Sequence, residues 1–191
     1  MARLPDPREH LAAADVRALE QLASARADSE GRAQPADVYV RMFNNPGAAA
    51  KVGALGEHLR FHASLPDDVR ELAILRFAAR QRSGYEWSHH QRAAALAGIA
   101  PEVVTELTDG GLPESLPDAS LAVLETVDAV CEGRSIPPDV QDRVVADHGH
   151  AGVVEVVALC GLYATMDYMV RAFDIPLEDG LPEPPDHFSE T

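Results

Sequence analysis

The stretch Arg70-Glu-Leu-Ala-Ile-Leu-Arg-Phe-Ala-Ala-Arg-Gln-Arg-Ser-Gly-Tyr-Glu-Trp-Ser-His-His90 decides how this chain is read. From Leu72 to Ala79 its only polar side chain is Arg76, the pattern of a helix enclosed by protein on most sides. Pro66 sits where proline suits a helix start, and Asp67 and Asp68 complement the dipole in the first turn. That helix is expected to run to about Arg82. A second should start near Tyr85 and be capped by Gly98. On it Glu86 and His90 lie four apart, which at roughly 100° per residue puts them on one face, with Ser83 a turn earlier.

If that face turns toward Glu71, two carboxylates and an imidazole meet in a largely apolar enclosure. Desolvation there raises carboxyl pKa values and partner charges oppose the change, the conditions that make a general acid and base. The alternative is an ordinary solvent-facing pair of Glu86 and His90, with Glu71 bonded to Arg70 or Arg76. Spacing leaves both open.

Outward from this core the period stays helical, and no alternating run bounded by turns argues for a strand. The expected class is all-α, with about eight or nine helices. Val16, Leu19 and Leu22 mark one face of a first helix of about 16 residues, ending before the polar run from Asp28 to Pro35. Short helices should follow at Asp37 to Met42 and from Ala48 to Phe61, around the turn Asn44-Asn-Pro-Gly47. Pro101, Pro117 and Pro138 open further helices. The most apolar one is expected from Ala151 to Phe173, as a central core helix or a subunit interface. Residues 1–175 then form one domain. Residues 176–191, rich in Pro, Asp and Glu, form a solvated tail or an arm that orders on a partner.

At 191 residues, 46% hydrophobic and 25% charged, the chain has the balance of an ordinary globular domain. Its net charge of −15 and pI near 4.8 argue against nucleic acid or anionic lipid as partner. Arginine supplies all but one of its basic residues, a skew expected of a GC-rich bacterial genome. Between residues 60 and 92, six arginines (Arg60, Arg70, Arg76, Arg80, Arg82 and Arg92) outnumber four acids. This locally basic zone could draw in a carboxylate, though the same arginines could equally pair with neighbouring acids. Cys131 and Cys160 fall in separate expected helices, making neither a CxxC nor a disulfide framework, and each reads as a buried core residue in a reducing cytoplasm. No signal or transmembrane element is apparent, the run Val153 to Met166 being too short to span a bilayer. His58 with His62, His89 with His90, and His148 with His150 lack the spacing of a known metal site, so no metal is expected. No phosphate loop or dinucleotide fingerprint implies a nucleotide cofactor.

The string from Arg70 to Ile99 resembles the signature of the carboxymuconolactone decarboxylase and alkylhydroperoxidase D superfamily, over about residues 35 to 175. In the hydroperoxidase branch this region carries a glutamate, a CxxC beginning twelve positions on, and a histidine four after the second cysteine. Glu71 matches the glutamate and His90 the histidine. Ser83 and Glu86 stand at the two cysteine positions, so the chain resembles a branch without the redox pair. A hydroxyl and a carboxylate supply neither an attacking thiolate nor a resolving thiol.

The resemblance then implies a cofactor-independent acid/base enzyme of lyase, isomerase or hydratase type, acting on a small carboxylated or lactone metabolite. Glu71, Glu86 and His90 are the expected catalytic residues, with Glu71 fixing the imidazole tautomer. Ser83, Tyr85, Trp87, His89 and Arg76 are the expected substrate-binding residues, and Tyr163, Asp167 and Tyr168 could approach from the apolar helix. The resemblance also implies a homo-oligomer, as dimer, trimer or hexamer, with the site near a subunit boundary. The alternatives are peroxide reduction by a lone cysteine and a non-catalytic ligand-binding scaffold.

Overall fold

The structure is a computed structural model describing residues 3–30 and 34–188, with side chains described outside 25–30. Among the described residues it is all-helical, with no strand. The order is α1 (Ala13–Glu30), α2 (Asp37–Met42), α3 (Pro46–Phe61), α4 (Asp67–Gln81), α5 (Gly84–Leu96), α6 (Pro101–Thr108), α7 (Asp118–Cys131) and α8 (Pro138–Phe173). Single 3-10 turns lie at Arg8–His10 and Asp186–Phe188.

Local chemistry accounts for most of these boundaries. The Asn45 side chain accepts from the Ala48 N–H and caps α3, which starts at Pro46, two residues before the expected Ala48. Gly98, at φ 83°, takes the left-handed position just after α5. The first helix runs past Asp28 to Glu30, longer than expected, and the rest of the polar run to Pro35 lies partly outside the described residues.

The enclosed helix is α4: Val69 through Ala78 are all buried, ten residues in succession. One side joins Val69, Ala73, Ile74 and Phe77 to a core built with α2, α3, α7 and α8. The other side joins Leu72 and Leu75 to Ala94, Val103, Val104, Leu107 and Leu124. A helix with apolar residues on two sides needs such enclosure, because each fully buried Leu, Ile or Phe contributes roughly 1.5–3 kcal/mol that exposure would forfeit.

The long final helix is two helices joined at Gly149, whose φ of 65° and ψ of 179° break the helical path. By length and composition alone Pro138–Phe173 is long and apolar enough to cross a membrane, a test that the core helix of a soluble protein also passes. It packs chiefly on α7, and also against α2, α3, α4 and α5. Val156, Leu159, Cys160, Leu162 and Met166 are buried, while Val154, Val157 and Tyr168 face outward. The central position therefore belongs to α4, and α8 keeps an apolar outer face.

Residues 177–188 lie along the helices with Asp179, Gly180, Pro182, Glu183, Asp186 and His187 exposed and a few side chains turned inward. Phe188 is buried and meets Trp87 edge-on with ring centroids 6.5 Å apart. A Cβ built on Gly84 would come within 2.9 Å of Pro184, so the tail lies directly on the start of α5. His187 Nε2 reaches the Thr108 carbonyl at 3.2 Å. Burying one phenylalanine offsets part of the ordering entropy of an otherwise polar segment.

Candidate functional site

The turn between α4 and α5 sets the site. Arg82 closes α4 in the left-handed region at φ 51°, and Ser83 turns the chain directly into α5. Arg171 of α8 donates to the carbonyls of Gln81 at 2.6 Å and Arg82 at 3.1 Å, satisfying acceptors that a helix end leaves unpaired. With this hairpin fixed, α5 lays its Glu86–His90 face inward: both residues are buried.

His90 Nδ1 lies 2.7 Å from Glu71 Oε2. Burial pushes the Glu71 carboxyl up, but the charge and hydrogen bond of His90, with Arg60 and Arg70, outweigh it and hold the group below the ordinary carboxylate range. An ionised carboxylate only accepts, so the ring proton sits on Nδ1 and Nε2 is left as the working nitrogen. Arg70 also approaches Glu71 Oε1 at 3.4 Å, one of the contacts foreseen by the alternative reading, while its Nη1 bonds Asp67 and the Arg60 carbonyl.

A cavity of about 40 Å³ opens beside this pair, lined by Glu86, His90, Tyr85, His89, Arg60 and Tyr163 among others. Tyr163 from α8 stands edge-on to His90, with centroids 5.0 Å apart. Burial first, and then the Glu71 and Glu86 charges, with only Arg60 pulling the other way among the larger effects, push its phenol well above its usual value. The cavity is smaller than the roughly 300–1,000 Å³ that ligand pockets generally occupy.

Three expected substrate-binding residues lie outside the cavity lining. Arg76 grips Asp128 of α7 through two 2.7 Å bonds and donates to the carbonyls of Gly110 and Gly111. A buried guanidinium needs such complete pairing, and this one ties α4 to α7 and the loop after α6. Trp87 points to the opposite side of α5, donating from Nε1 to Thr108 Oγ1 and packing on the tail. Ser83 stands at the N-cap position of α5 without capping it, since its buried Oγ makes no hydrogen bond, and it does not line the cavity. Asp167 is buried and bonded to Arg171, and Tyr168 is exposed.

The sequence reading missed Arg60 of α3, Tyr39 of α2 and Glu178 of the tail. Arg60 and Tyr39 line the cavity. Arg60 had a signal, as one of the locally clustered arginines. Glu178 had none. Its Oε1 accepts from the Tyr85 hydroxyl at 2.9 Å and the Asp37 N–H at 2.6 Å, and its Oε2 lies 2.8 Å from His89 Nε2. Although burial pushes this carboxyl up, His89 and the backbone donors bring it down to about 2.

Cys160 is buried in the core, and Cys131, half-buried, packs against the same cluster. Cys160, against burial and with help from Gln81, holds the Cys131 thiol at about 7, while the Cys160 thiol is pushed up by Cys131 and by burial.

Solved structures share this arrangement of helices. The debrominase Bmp8, as a cysteine-to-alanine variant in complex with 2,3,4-tribromopyrrole, superposes with a TM-score of 0.73 at 16% identity, covering 88% of this chain and 90% of that one. The apo form of Bmp8 gives 0.72 at the same identity and coverage. An alkylhydroperoxidase AhpD core protein from Ralstonia eutropha JMP134, an uncharacterised peroxidase-related protein, gives 0.73 at 15% identity over 97% of this chain and 92% of that one. The chain has the alkylhydroperoxidase D-like fold. No protein-family model and no curated protein matches the sequence. The AhpD-like likeness is therefore one of backbone architecture, and chemistry must be argued from the side chains.

Proposed function

We propose that this AhpD-like protein is a cofactor-independent acid/base enzyme acting on a small carboxylated or lactone metabolite. The observation that carries the reading is the 2.7 Å bond between buried Glu71 and His90, the latter lining the cavity beside Glu86. Glu71 holds the imidazole with its proton on Nδ1, so Nε2 accepts a proton from substrate and returns it at another position. Glu86 serves as the second proton carrier, and Arg60 faces the substrate carboxylate. In a decarboxylation, carbon dioxide departs leaving the bond pair on carbon, and the carbon takes its proton from the imidazolium of His90 or from Glu86. The complex of Bmp8 with a brominated pyrrole supports a small ring compound as ligand.

The test uses carboxylated lactones in deuterium oxide, with deuterium entry at carbon and loss of carbon dioxide followed by NMR. Wild type is expected to exchange or turn over at least one member. His90→Ala and Glu86→Gln should lose roughly 10²- to 10⁴-fold while remaining folded. Rates unchanged in both variants, or no reaction with any member, would overturn the reading.

Two further proposals rest on separate observations. The exposed apolar residues Val154, Val157 and Tyr168 on α8 support a homo-oligomer formed through that face, and Tyr168→Glu should shift the light-scattering mass to that of the monomer. An unshifted mass would remove this face as the interface. The packing of Cys131 and Cys160 in one cluster, with the Cys131 thiol brought down to about 7, supports a second reading, thiol-based reduction of a hydroperoxide by a pair rather than by a lone cysteine. The Cys131 thiolate would attack the peroxide oxygen, releasing alcohol and leaving a sulfenic acid, which the Cys160 thiol would convert to a disulfide with loss of water.

A further inference from the structure

The tail carboxylate of Glu178 occupies a donor set too complete for a surface ion pair. The Tyr85 hydroxyl and the Asp37 N–H converge on one oxygen and His89 Nε2 on the other. Tyr85 and His89 are themselves buried, and their rings lie 4.4 Å apart between centroids. The Tyr85 oxygen accepts from the Val38 N–H at 3.3 Å, which commits its single proton to Glu178. Two-sided recognition of this kind is what a bound carboxylate requires. Tyr85 and His89 also line the cavity that holds Glu86 and His90, so an anion gripped here would place its neighbouring atoms beside the proton-transfer groups.

We propose that Tyr85, His89 and the Asp37 N–H form a carboxylate-binding subsite, filled in the closed protein by its own Glu178, and that a small carboxylate ligand enters by exchanging with it. The exchange loosens the tail, whose Pro184 rests on Gly84 and whose Phe188 rests on Trp87. The narrowness of the cavity is then a property of the closed state. Because Glu178 is tethered a few residues from the end of α8, it competes as an intramolecular ligand at high effective concentration. The carboxylate nature of the ligand rests on the function proposed above, while the subsite can be tested without turnover.

Trp87 is the sole tryptophan and reports the tail directly. Full-length protein is titrated with succinate and with benzoate, following Trp87 emission, and affinities are taken by calorimetry. For wild type, weak binding with a red shift of Trp87 is expected. Glu178→Gln removes the competing charge and should bind at least one of the two probes about tenfold or more tightly. Adding Tyr85→Phe to that variant should lose the gain, and circular dichroism checks that each variant folds. Affinity within twofold of wild type in Glu178→Gln, a gain that survives Tyr85→Phe, or no binding of either probe by any variant would overturn the subsite. Should Glu178→Gln fail to fold, the wild-type titration decides, since carboxylate binding without a change at Trp87 contradicts exchange with the tail. In His90→Ala the same binding should persist. Probe binding without turnover would sink only the catalytic reading, and turnover without an effect of Glu178→Gln only the subsite.

Discussion

Glu71 of α4 and His90 of α5, nineteen positions apart, are joined by a 2.7 Å hydrogen bond that is sealed from solvent. The pairing orients one ring nitrogen toward the carboxylate and leaves the other for chemistry.

Glu71→Gln keeps the size of the side chain and removes its charge. In the proposed turnover kcat should fall roughly 10²- to 10⁴-fold with KM little changed, because the wrong tautomer is then accessible to His90. A positioning role also predicts an altered pH–rate profile. Equal loss in KM and none in kcat would assign Glu71 to binding instead.

Arg76 is a structural tie, so its removal should act on stability. Arg76→Ala leaves Asp128 without its two-pronged partner and should cost about 3–5 kcal/mol in urea unfolding. Arg76→Lys should recover only part of this, since an ammonium cannot reproduce the fork. Succinate affinity should be unaltered in whichever variant remains folded.

Acid should undock the tail. The Glu178 carboxyl is held at about 2 against an ordinary 4.5, so its stabilising contribution is complete above 4.5 and disappears as pH falls toward 2. Glu71, also held low, loses its contribution in the same direction. Trp87 emission should shift red across this window in wild type, and Glu178→Gln should start from the shifted value. A flat wild-type emission down to about pH 2 would contradict the docking role of the ion pair.

The cysteine pair makes a mass-spectrometric prediction. One equivalent of cumene hydroperoxide should lower the mass by about 2 Da as the disulfide forms, and Cys160→Ala should instead gain about 16 Da as sulfenic acid. Two unmodified thiols after treatment would remove the thiol reading.

The sequence by itself determined the helices, the enclosed nature of α4 and the shared face of Glu86 and His90. These follow from local periodicity, proline and glycine positions and i,i+4 spacing, none of which depends on distant chain. Only the tertiary structure decided that this face turns toward Glu71 and away from solvent. It likewise decided that Arg60 rather than Arg76 reaches the cavity, that Cys131 packs in one cluster with Cys160, and that Glu178 crosses back onto Tyr85 and His89. Each of those outcomes depends on how separate helices and the tail pack together, and partners 19 to 93 positions apart leave no periodic trace in the residues between them.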